Sequence, residues 1–140
     1  MNVEIFALCD AATHSMGKLN ILGTFDSIFT RQIPATHPQC AVAIRIRFTR
    51  IEKGNHKIKL GIVDQDGRPA ITSLDAGMQV SFPDELASHA FNLVLNIQGL
   101  KFEKYGEYSV DLAVDGRQEA SLPLMIAEPL EKSRPKIQTG

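Results

Sequence analysis

The chain has no tryptophan, two cysteines and only 6% aromatic residues in 140 positions. An excess of either charge is also missing. Fifteen Lys plus Arg stand against sixteen Asp plus Glu, a formal net charge of −1, so no long-range field draws the protein to nucleic acid or to an anionic membrane. Neither partner is expected. No stretch approaches the roughly 20 apolar residues of a membrane-crossing helix, and the opening MNVEIFALCDAATH has no basic segment and carries Glu4 and Asp10, which reads against a secretory signal. A cytoplasmic protein is the expectation, with Cys9 and Cys40 kept reduced and unpaired. There is no internal repeat and no low-complexity tract, and 140 residues fit one domain.

What the chain does have is alternation. Val42, Ile44, Ile46 and Phe48 are set against Ala43, Arg45, Arg47 and Thr49, and only a strand places such a set on one side. The same phasing returns in Ile58/Leu60/Ile62, Phe91/Leu93/Leu95/Ile97, Tyr108/Val110/Leu112/Val114 and Ala120/Leu122/Leu124/Ile126. The first strand is expected at 2–9, buried on both sides, and a second across 19–29 around Gly23. Residues 10–18 read as a connection, and 31–39 as a loop because of Pro34 and Pro38. Strands 40–49 and 56–63 are expected to pair as a hairpin through Gly54-Asn55. Asp66-Gly67 leads to strands at 69–74 and 77–82, and 83–89 holds one helical turn. Strands at 90–98, 107–114 and 118–127 follow, the last two joined at Asp115-Gly116. About eight short strands with these turn signals predict an all-β antiparallel sandwich over residues 1–127, followed by a mobile tail over 128–140.

Two resemblances add to this reading. The segment GLKFEKYGEYSVDLAVDG, Gly99 to Gly116, is similar to the passage into the penultimate strand of immunoglobulin-like domains. There a Gly-x-Tyr places a tyrosine ring in the core, with its hydroxyl bonded to upstream backbone. Gly106 and Tyr108 take those positions. The second antibody cysteine is replaced by Val110 and tryptophan is absent, so the likeness implies an immunoglobulin-like sandwich and not an antibody-type domain. The opening, with Cys9-Asp10-Ala11 and GKLNILGTFD at 17–26, is similar to that of a bacterial family of unknown function. That resemblance implies a bacterial source and brings no catalytic residues.

Signatures of chemistry are scarce. Asp64-x-Asp66-Gly67 is similar to the start of a calcium loop, but Arg68, Pro69 and Ala70 follow where ligands are needed, so a β-turn is the reading. His14, His37, His56 and His89 have no metal-ligand spacing, and no phosphate loop, nucleophile elbow or His-Glu-x-x-His occurs. No catalytic residue, metal or cofactor is expected. The remaining candidate is a basic patch. If 40–49 and 56–63 pair, Arg45, Arg47, Lys57 and Lys59 converge on one outer face, with Asp111 and Glu107 placed to offset them. The expected function is therefore a non-catalytic binding or assembly module, self-associating or holding a protein partner through an exposed strand edge or sheet face. The alternative is an enzyme or small-ligand protein with a pocket among loops 10–18, 31–39 and 64–68, using Cys9, Asp10, His14 and His37.

Overall fold

Alternation in the sequence becomes alternation in burial: Val42, Ile44, Ile46 and Phe48 are 0% exposed, while Arg45 and Arg47 reach solvent from the opposite side. The computed structural model describes residues 1–130. Among them lie nine strands: β1 (Asn2–Ser15), β2 (Lys18–Thr24), β3 (Ser27–Phe29), β4 (Ala35–Thr49), β5 (Gly54–Val63), β6 (Leu74–Val80), β7 (Ser88–Phe102), β8 (Gly106–Val114) and β9 (Arg117–Ala127). They form two packed sheets, ordered β2-β1-β4-β7 and β3-β9-β8-β5-β6. Every pairing is antiparallel except the short β3 along β9. The core between the sheets is built from the predicted alternating sets, among them Ile44, Ile58, Leu60, Ile62, Val110, Leu112, Leu124 and Ile126.

This β-sandwich has the strand order of an immunoglobulin-like domain. Strands β1, β4 and β7 take the places of A, B and E, and β9, β8, β5 and β6 those of G, F, C and C′. Nothing among the described residues takes the place of D, beyond E. The tyrosine corner is present as well. Tyr108 is buried, its hydroxyl donates to the Lys104 carbonyl at 2.8 Å, and its ring meets Phe102 edge-on at 5.0 Å.

Several expected segments fold differently. Residues 10–18 are not a loose connection: β1 runs on to Ser15 and turns through Met16 and Gly17, at φ 53° and 74°, into β2. Small residues such as Ala11, Thr13 and Ser15 give no apolar-polar contrast, so this strand leaves no periodic trace. The hairpin folds over the outer side of its own sheet, where Ala12, Leu19 and Ile21 pack on Cys9, Ala41 and Ala43. That cover explains why Ala41 and Ala43 are buried although they face outward. The strand expected across 19–29 breaks at Phe25-Asp26, where the chain crosses to β3 in the other sheet. The loop expected at 31–39 ends early, because β4 begins at Ala35 and contains Pro38. Pro38 falls beyond Ala41, the last β4 residue paired with β1, so the strand is bordered there on one side only, a position that tolerates proline.

The largest correction concerns 40–49 and 56–63. They are not a hairpin, since β4 and β5 belong to different sheets. Between them Arg50–Glu52 form a 3-10 turn, held by Glu52 Oε1, which accepts from both Thr49 N and Thr49 Oγ at 2.8 Å. This turn carries the chain across the sandwich. The strand expected at 69–74 is reduced to one bridge between Val63 and Pro69. In place of a helical turn at 83–89 there is one reverse turn, Leu86 N to Pro83 O at 3.0 Å. From residue 131 on, the expected tail lies outside the described residues.

Candidate functional site

The four cations do not meet. Arg45 and Arg47 stand on the outer side of β4, Lys57 and Lys59 on β5 in the opposite sheet. Glu4 neutralises the arginines, bonding Arg45 Nε at 3.0 Å and Arg47 Nε at 2.8 Å. It is the extra residue of a bulge between Val3 and Ile5, and the bulge turns its side chain onto the arginine face. The Arg47 bond leads in holding the Glu4 carboxyl below the usual range, against the opposing effect of burial, with Arg45 adding to it. One further nitrogen of each is engaged: Arg45 Nη1 reaches Asn92 Oδ1 and the Gly17 carbonyl, and Arg47 Nη1 reaches Ser88 Oγ. Asp111 lies on the lysine sheet and accepts from Ser109 and Ser121. These arginines tie β1, the hairpin tip and β7 to β4.

Cys9, Asp10, His14 and His37 do not form a site. Cys9 is 0% exposed and its thiol is 3.5 Å from the Ala41 carbonyl. Burial raises its pKa and pushes that of Cys40 up to about 11, which keeps both protonated and unreactive. Asp10 lies across Gly23, where a Cβ would come within 2.5 Å of its Oδ2 and φ is +68°. His14 is exposed on the hairpin, and the His37 ring rests 5.6 Å from Phe25. The hairpin tip reaches Arg45 instead of joining loops 31–39 and 64–68. In the latter, Asp64 Oδ1 caps the N–H groups of Asp66 and Arg68 at 2.9 Å, and Gly67 N closes a β-turn onto Asp64 O.

A group that the sequence did not single out lies at the other end of the sandwich. His56 is held between Asp115 Oδ2 and the Glu52 carbonyl, both at 2.6 Å, beside a polar cleft of about 540 Å³ that also takes in Met1, Arg117 and Glu119. Both partners accept, so only the doubly protonated ring satisfies both. Burial works against that form, yet the bonds to Glu52 and Asp115 prevail and raise the pKa. Glu52, bonded to the Met1 amine at 2.8 Å and to Thr49, is lowered to about 2. With neither ring nitrogen free, His56 is a tie between the inter-sheet turn and the Asp115 turn, not a proton shuttle.

Four strands lie at sheet edges among the described residues, β2, β7, β3 and β6, and β7 is the least guarded of them. Sheet edges invite pairing, and proteins blunt them with brevity, charge or proline. Strand β3 has three residues, and the seven-residue β6 and β2 carry Asp75 and Lys18. Strand β7 has fifteen residues and no Asp, Glu, Lys, Arg or Pro from Ser88 to Leu100. It pairs with β4 from Ser88 to Phe102, and no strand among the described residues pairs with its other side. Every second residue there directs its N–H and C=O outward. Phe91, Leu93 and Leu95 face the core yet are only half-buried, whereas Ile46, Ile44 and Val42 directly across from them are 0% exposed.

The described chain is thus an immunoglobulin-like sandwich with the D position open beside β7. A family of unknown function, DUF6941, matches residues 4–127, and the chain belongs to it. None of the curated proteins compared with the chain matches it.

Proposed function

We propose that this protein is a non-catalytic binding or assembly module whose working surface is the free rim of β7, which accepts one extended, uncharged strand with alternating apolar residues. The observation that carries this is the edge of β7, uncharged from Ser88 to Leu100, in the place where immunoglobulin-like sandwiches of the constant type have another strand. An added strand takes up the outward N–H and C=O groups, and its apolar side chains continue the row of Phe91, Leu93 and Leu95 over the core. The two thiols are buried and unpaired, which suits a reducing compartment such as the cytoplasm.

A synthetic peptide of residues 88–98 with flanking lysines tests the reading. It is expected to bind saturably by fluorescence anisotropy, and Asn96→Lys, an exposed change on the same rim, is expected to weaken it at least tenfold. Equal binding by the variant, or none by either protein, rejects β7 as the site.

A further inference from the structure

Resting on the strand-addition reading, we infer that the strand received by β7 is β7 of a second copy, antiparallel about a two-fold axis at Leu93. Directly opposed residues of an antiparallel pair lie on the same face, so a two-fold axis that keeps inner residues with inner ones passes through a residue position. Leu93 is the midpoint of Ser88–Gln98, the stretch before Gly99, where φ turns to 65° and the regular ribbon ends. With the axis there, Leu93 faces its own copy and Phe91 faces Leu95 on the inner side. On the outer side Asn92 faces Val94 and Ala90 faces Asn96.

No like charges are opposed anywhere in that register, because the stretch contains no Asp, Glu, Lys or Arg. A strand this long that carried even one central lysine would place two cations close together across the axis. Both copies also gain what each lacks: the half-buried inner row of one is extended by that of the other, and the two four-stranded sheets become one continuous sheet. The contact is modest. Eleven residues at about 3.3 Å each give roughly 36 Å of rim, and sheets stacked about 10 Å apart make it roughly 400 Å² per copy. The two copies together bury about 800 Å², below the roughly 1,000 Å² of stable complexes, so the association is weak and reversible.

Sedimentation velocity between 1 and about 500 µM full-length protein is expected to show a reversible monomer-dimer equilibrium, with dimer growing across that range. Asn96→Lys is expected to raise the dissociation constant at least tenfold. Leu93→Cys is expected to give a covalent dimer under mild oxidation, while Gln79→Cys on β6 does not, the native thiols being buried. A monomer throughout overturns the second-copy inference. If that monomer still binds the 88–98 peptide, the strand-accepting edge stands and its partner is another chain. A dimer that ignores Asn96→Lys and fails to cross-link through Leu93→Cys overturns both, since it uses another surface.

Discussion

Strands β4 and β7 are each fifteen residues long, lie side by side, and pair along nearly their whole length, yet they live in different environments. In β4, Ala41 to Ile44 are at most 1% exposed in succession, because β1 and β7 flank the strand, the other sheet covers one face and the β1–β2 hairpin the other. In β7 the residues directly across, Leu93 to Leu95, are half-buried and Asn96 is exposed. The two sequences are about equally apolar. Position in the sheet, not composition, makes one a core strand and the other a surface, with no strand on its second side among the described residues.

The sharpest way to break this contrast is to truncate matched residues. Ile44→Ala is expected to destabilise by about 3–4 kcal/mol in urea unfolding, since a fully enclosed side chain leaves a cavity. Leu93→Ala, its cross-strand neighbour, is expected to cost about 1 kcal/mol in dilute solution, where its site is open to water. That smaller cost should grow with protein concentration if β7 becomes covered, because a complex stabilises the fold by mass action. Equal losses at the two positions, independent of concentration, contradict the contrast.

Next in size is Tyr108→Phe, which removes one buried hydrogen bond to Lys104 at the corner of the second sheet. A loss of about 1 kcal/mol is expected, with a smaller one for Tyr105→Phe, whose hydroxyl reaches Thr30 from a more open place. No difference between the two tells against the corner as a fixed point.

The smallest expected effect is in pH dependence. The folded pKa of His56 is raised, so its contribution is complete below the unfolded value of about 6.5 and is lost as pH rises through the folded value. Asp115 is lowered, first by the Lys57 N–H and then by His56, so its contribution holds above its unfolded value of about 3.9 and is lost as pH falls through the folded one. The His56–Asp115 tie therefore stabilises most between roughly pH 4 and 6.5. His56→Gln should flatten the thermal-stability profile on the alkaline side of that window; an unchanged profile shows that the tie contributes nothing.

The alternating sets were legible because every second residue of β4, β5, β8 and β9 is a large apolar one set against smaller or polar neighbours for most of its length, and the Asp115-Gly116 turn was legible because both residues adopt positive φ, at 54° and 82°. Strand pairing was not. The step from Phe48 to His56 looks like a hairpin in sequence, and only the Thr49–Glu52 hydrogen bonds of the intervening 3-10 turn show that it crosses between sheets. For that reason the basic patch of Arg45, Arg47, Lys57 and Lys59 dissolves into two separate faces. Glu4 could be seen as a polar residue between Val3 and Ile5, but a bulge has no simple sequence mark. The rim of β7 was hidden for a different reason: alternation identifies a half-buried strand without saying whether its second neighbour exists.

Hydrogen exchange along β7 addresses the free rim most directly. At a few micromolar protein, alternate amides between Ser88 and Gln98 should exchange rapidly while those bonded to β4 stay protected. At several hundred micromolar, the rapid set should gain protection and the β6 rim should not. Uniform protection of β7 at low concentration, or gains confined to β6 or β3, would contradict the assignment of β7 as the open edge.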